Sequence, residues 1–166
     1  MTQEVAHDVV GCVISADPWY KPKILLVKRR SKEEGERYWA GRWCYLTEHR
    51  YPGETDKDTI ARCLKEELGL PPPKWIVKGP VGVESRDPDY HELFRIQLYQ
   101  CLATAGLKDR MDIDPALNPE EASRWIWTST LSPFPIDAAI QSSPVFEDLY
   151  RHLDDLFMSP LVLEEF

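Results

Sequence analysis

The chain has 166 residues, 28 acidic and 20 basic, for a formal net charge of -8 at pH 7. That length suits one domain with a core able to bury most of its apolar side chains. The acidic surplus argues against broad binding to long nucleic acids or anionic membranes, which carry charge of the same sign. A nucleotide pocket needs only local positive charge and stays open. No apolar run reaches the length of a bilayer span, and residues 1–15 lack a basic stretch followed by an apolar block. Cys12, Cys44, Cys63 and Cys101 form no Cys-x-x-Cys pair and no zinc pattern with histidine, so a reducing, cytoplasmic setting is expected.

Residues 5–14 and 23–28 read as strands, and the loop between them carries Pro18 and Pro22, which predicts a long-looped hairpin. Residues 43–47 form a short strand. The segment 53–70 reads as a helix. Thr55 ahead of Asp58 sets up a capping box with the shorter Asp in place of Glu. Ile60, Leu64 and Leu68 recur every four residues as an apolar stripe. Gly69 can end the helix, and Pro71, Pro72 and Pro73 prevent its return. Thr59, Cys63, Glu66 and Glu67 then share roughly one face.

Residues 75–83 and 92–102 read as two strands joined by a polar turn at 84–90. A long polar loop, 104–123, precedes a short strand at 125–127. Segments 133–140 and 145–157 look helical, the second striped by Phe146, Leu149, Leu153 and Leu156. Cys12 and Cys101, inside strand runs, are expected to be buried as small apolar residues. No repeat or linker divides the chain, so a single domain over 1–166 is expected.

The box helix carries a denser signal. Glu54, Arg62, Leu64, Glu66, Glu67, Gly69 and Leu70 occupy seven of the nine fixed positions of a pattern that resembles the signature box of Nudix hydrolases. Two positions depart from it: Glu48 stands for the opening Gly, and Cys63 for the Glu after Arg. The order of elements resembles the Nudix fold over nearly the whole length. That resemblance implies an α/β class, an α/β/α sandwich around a mixed sheet.

The resemblance also implies a chemistry. A divalent cation, Mg²⁺ or Mn²⁺, would serve hydrolysis of a nucleoside diphosphate linked to another group. It marks Glu67, Glu66, Arg62 and Glu54 as the catalytic set, with Arg62 pairing with Glu54 to hold the angle between loop and helix. Glu66 and Glu67 are the metal-ligand candidates. The segment 118–121 resembles a loop that in many relatives offers a further Glu, which brings in Glu120 and Glu121. A thiol is a soft ligand, protonated near neutral pH with a reference pKa of about 8.5, so Cys63 serves a hard cation poorly. Glu48, in the loop facing the same helix, is a substitute, as are Glu92, Glu120 and Glu121. Cys63→Glu is then expected to raise metal-dependent turnover.

Substrate contacts are drawn from two clusters. Lys28 and Arg30, in the basic run that closes the second strand, offer charge to a phosphate. Tyr38 and Trp43, with Trp39, offer faces for a base or serve as packing. His7, His49 and Glu92 are loosely similar to the ligand positions of isopentenyl-diphosphate isomerase, although Thr47 stands where its Cys would precede the His. Two function classes follow: the hydrolase, and a Nudix-fold module without turnover that binds a nucleotide or a protein partner. In either, the expected partner is a small nucleotide or diphosphate, with no long nucleic acid and no membrane. A homodimer is the assembly that the resemblance offers.

Overall fold

A computed structural model describes residues 4, 6–16, 23–68, 75–103, 122–128 and 164–165. Its elements are β1 (Ala6–Ala16), β2 (Lys23–Arg29), β3 (Trp43–Cys44), β4 (Leu46–His49), α1 (Asp56–Leu68), β5 (Trp75–Arg86), β6 (Leu93–Ala103), β7 (Ala122–Thr128) and β8 (Glu164–Glu165). The strands join in one mixed sheet. β1 and β6 run parallel, from Ala6 opposite Leu93 to Ser15 opposite Leu102, and every other pairing is antiparallel.

The expected hairpin forms, but it opens almost at once. β1 and β2 pair only at Ser15–Ile24 and Ala16–Lys23. Beyond that, β2 pairs with β7 and β3, while β1 pairs with β4 and β6. The segment 43–49 crosses from one arm to the other. It is therefore two short strands rather than the one expected at 43–47, with the break at the buried Tyr45. This crossing delivers Glu48 to the helix side of the sheet.

Side-chain alternation sorts the core into two faces. On one, Val10, Cys12 and Ile14 of β1, Leu25 and Val27 of β2, Leu46, Val77 and Cys101 pack with Ile60, Cys63 and Leu64 of α1. On the other, Val9, Val13, Ile24, Leu26, Phe94, Ile96 and Leu98 form a second cluster, flanked by Tyr38, Trp39 and Trp43. Gly11 has a steric reason: a Cβ there would stand 2.8 Å from the Leu98 Cδ1.

The helix begins as the sequence predicts. Asp58 N donates to Thr55 Oγ1 at 3.2 Å, and Thr55 N donates to Asp58 Oδ2 at 3.1 Å, a reciprocal capping box. Its phase differs from expectation. The buried side is Thr59, Ile60, Cys63, Leu64 and Glu67, whereas Glu66 is exposed. A step of 100° per residue puts position 63 between 59 and 67, both buried, so Cys63 lies in the apolar seam and not on a solvent-facing acidic face with Glu66. The side chain of Leu68 lies outside the described set.

The turn after β5 is built on Asp87, which is fully buried. Its carboxylate accepts backbone N–H bonds from Trp39 at 2.8 Å, Asp89 at 2.9 Å and Tyr90 at 2.6 Å. Trp39 has φ of 48°, in the left-handed region that a bulky residue seldom enters. Its bond to Asp87 and its edge contact with Phe94 hold it there. Of the expected loop 104–123, only residues 122 and 123 are described, as the start of β7. The expected helices 133–140 and 145–157 lie outside the described residues.

Candidate functional site

Arg62 is the centre of the site. It projects from the middle of α1 toward the loop that precedes the helix. Its Nε donates to Glu54 Oε1 at 3.0 Å and its Nη2 to Glu54 Oε2 at 2.9 Å, a planar two-point grip. The same Nη2 donates to the His49 carbonyl at 2.6 Å. Nη1 forms an ion pair with Glu48 Oε1 at 2.9 Å, and Glu66 Oε2 stands at 3.9 Å. One guanidinium thus ties together the end of β4, the loop and the helix.

Glu54 is held from other sides as well. Tyr51 N donates to its Oε2 at 2.9 Å, and the buried Thr59 hydroxyl donates to the same oxygen at 3.0 Å. The Arg62 guanidinium, with help from these donors, lowers the Glu54 carboxyl from its ordinary 4.5 to about 2. Arg62 in turn is held more firmly protonated by Glu54 and Glu48. Beneath the guanidinium lies the Tyr51 ring, its centroid 3.8 Å from Arg62 Cζ.

The two neighbouring carboxylates of α1 differ in surroundings. The Glu66 side chain is 53% exposed, while Glu67 is 5% exposed at the inner end of the seam. Cys63 is fully buried in contact with Cys12. That contact pushes its thiol well above the usual range, and burial and the charges of Glu67 and Glu48 add to the shift. It is therefore a neutral core thiol. Cys44 is also raised, chiefly by burial, with Arg29 opposing and Glu36 and Glu67 adding. Arg29, rather than Lys28 or Arg30, is thus the member of its basic run next to Cys44 in the helix-side core.

The other sequence candidates are dispersed. Lys28, in β2, and Arg30, the residue after its end, are half-buried, and Arg30 Nε forms an ion pair with Glu34 at 3.3 Å. Tyr38 and Trp43 pack against the second core cluster, and the Tyr38 ring meets His7 and Phe94 edge-on. His7 does meet both His49, at 3.3 Å, and Glu92, at 3.7 Å. Glu120 and Glu121 lie outside the described residues. Among the described residues, no three His, Cys, Asp or Glu side chains converge to hold a metal ion, and no helix is long and apolar enough to cross a membrane. Tyr51 and Thr59 were not singled out as site residues. Their signal was proximity to the box: one is in its loop, the other three residues before Arg62.

A mixed sheet whose arms part around an acidic helix, with an arginine clamping the loop before that helix, defines an α/β protein of Nudix architecture. A family model described as the NUDIX domain matches residues 5–149, and the chain belongs to that family. Solved structures share the fold. RenU, a Nudix hydrolase from M. smegmatis, matches with a TM-score of 0.59 and 17% identity, over 95% of this chain and 89% of that one. A MutT protein from Methanosarcina mazei Go1 matches with a TM-score of 0.57 and 20% identity, over 78% and 80%. The Ap4A hydrolase of C. elegans, in a binary complex, matches with a TM-score of 0.53 and 16% identity, over 74% and 80%. No curated protein matches the sequence.

Proposed function

We propose that the chain hydrolyses a nucleoside diphosphate linked to another group, with Mg²⁺ or Mn²⁺ held by Glu66 and Glu67. The observation that carries this reading is the two-point grip of Arg62 on Glu54, which fixes the loop against the helix bearing both carboxylates. Membership of the Nudix family supports it. So does the C. elegans neighbour, which is named for a nucleotide substrate.

The residues suit a hard cation. Mg²⁺ is commonly bound through one or two carboxylates, with waters and substrate phosphates completing its shell. Glu66 and Glu67 supply such oxygens, and the neutral Cys63 thiol supplies none. Glu48 takes up the role of the carboxylate missing at position 63, and Glu120 and Glu121 are assigned an auxiliary one. Bound there, the cation would neutralise phosphate charge and make a water more acidic. The protein's own groups do the rest. Arg62 locks the loop, so that the carboxylates need no rearrangement when substrate arrives. Glu67 is shielded from water, which strengthens its pull on a positive charge. Lys28 and Arg30 are the phosphate contacts of this reading.

A second reading, a Nudix-fold module that binds without turnover, draws on the burial of Cys63 as a neutral thiol. One experiment separates the two. The protein is incubated with a panel of nucleoside diphosphate derivatives and Mg²⁺ or Mn²⁺, and phosphate-bond cleavage is assayed. Cleavage lost in Glu67→Gln supports the hydrolase. Thermal stabilisation by a nucleotide with no cleavage supports the module.

A further inference from the structure

We propose that Tyr51 is the stacking platform for the nucleobase of the substrate, a role that rests on the hydrolase or nucleotide-binding reading of the Arg62 site. Tyr51 is 54% exposed, the most exposed of the large apolar side chains among the described residues. It adds nothing to either core cluster. Yet it is firmly held. Its N–H donates to Glu54 Oε2 at 2.9 Å, and its carbonyl accepts from Glu54 N at 3.0 Å. The preceding residue is fixed too: Arg50 N donates to the Asp8 carbonyl at 3.2 Å, and its guanidinium pairs with Asp56 at the start of α1.

The ring rests against the Arg62 guanidinium, 3.8 Å from centroid to Cζ. A tyrosine that folding does not bury but that three contacts of its own and two of Arg50 immobilise is a pre-ordered surface, and a ligand stacking on it loses little entropy to loop ordering. The guanidinium behind the ring draws electron density from it. An electron-rich, uncharged aromatic such as a purine is therefore a better occupant of the exposed side than a second cation. The platform's position gives the same answer. Arg62 touches Tyr51 on one side and reaches Glu48 and Glu66 with its other nitrogen, so a base on Tyr51 lies one guanidinium away from the carboxylates that would serve a diphosphate. Tyr38 and Trp43, by contrast, are occupied in packing beneath Phe94 and its neighbours.

The test compares two probes, ADP and inorganic pyrophosphate, each with Mg²⁺, by calorimetric titration of wild type, Tyr51→Phe and Tyr51→Leu. Leu keeps an apolar surface under Arg62 but removes the π face. Stacking on an aromatic side chain is worth enough that Tyr51→Leu should weaken ADP binding by about tenfold. Pyrophosphate affinity should stay within about twofold, and Tyr51→Phe should resemble wild type for both probes. Equal losses for the two probes in Tyr51→Leu would mean that the variant merely loosens Arg62, and would overturn the platform. An unchanged ADP affinity, or no ADP binding by wild type, overturns it as well. The hydrolase reading fails separately: if no substrate is cleaved while the ADP-selective loss appears, the platform stands and turnover does not.

Discussion

Arg62 holds Glu54 through both carboxylate oxygens, at 3.0 and 2.9 Å, across eight residues of chain. The pair sets a pH dependence of known sign. The Glu54 carboxyl is lowered from 4.5 to about 2, chiefly by Arg62. A group with a depressed folded-state pKa contributes stability that is fully present above its unfolded value and is lost as pH falls through the folded one. The contribution of Glu54 is therefore constant above about pH 5 and fades between about pH 4.5 and 2. Glu54→Gln should lower the thermal midpoint at pH 7. Its deficit against wild type should shrink as the pH is taken down through that window, as followed by circular dichroism. A deficit that stays constant to pH 2 would contradict the clamp.

The box pattern predicts that Cys63→Glu raises turnover. The structure adds a cost to that change. Position 63 is fully buried against Cys12, with the charges of Glu67 and Glu48 already felt there. A carboxylate placed in that seam is either desolvated beside like charges or protonated. Cys63→Glu should thus destabilise the metal-free protein by about 3 kcal/mol or more in urea unfolding, against about 1 kcal/mol for Cys63→Ala. Turnover has to be compared per folded molecule, with Mg²⁺ present and absent. A metal-free variant as stable as wild type would show that position 63 can turn outward.

The start of α1 and the Arg62–Glu54 pair were legible because their determinants are local. Thr55 and Asp58 are three residues apart, and the resemblance to the Nudix box implies Glu54 as the partner of Arg62. The phase of the helix was less so. A row read at every fourth residue selects Ile60, Leu64 and Leu68, whereas the packed seam uses steps of three and four and so includes Cys63 and Glu67. Cys is both a small apolar residue and a replacement for a ligand, and periodicity does not separate the two. The division of the sheet was not legible either. Whether residues 43–49 pair with β2 or with β1 depends on contacts far apart in the chain, and they do both in turn.

Asp87 provides a test of such a distant contact. It joins the segment around Trp39 to the β5–β6 turn, 48 residues away, through a buried carboxylate that accepts three backbone N–H bonds. Removing the acceptor strands those donors, and a buried unsatisfied donor costs about 1–3 kcal/mol. Asp87→Ala should lower stability by about 3 kcal/mol, a fall in midpoint of roughly 6–12 °C for a chain of this size. Asp87→Asn, which keeps an acceptor oxygen, should recover part of it. An Ala variant that melts with wild type would remove Asp87 as the pin.

Glu48 is the residue at which the two departures from the box come together. It stands where the pattern has Gly, pairs with Arg62 at 2.9 Å, and its charge reaches Cys63, where the pattern has Glu. If Glu48 supplies the carboxylate that position 63 lacks, its loss should be felt first in cation affinity. Gln keeps the length and removes the charge. Glu48→Gln should weaken Mn²⁺ binding about tenfold by calorimetry, within the range set by groups that support a metal site. Its metal-free stability should fall by less than about 1 kcal/mol, because Arg62 retains both bonds to Glu54. Chelation with EDTA should abolish wild-type turnover, and re-added Mn²⁺ should restore it at lower concentration for wild type than for the variant. Equal Mn²⁺ affinity in the two proteins would leave Glu48 as a structural partner of Arg62 and return the cation to Glu66 and Glu67 alone.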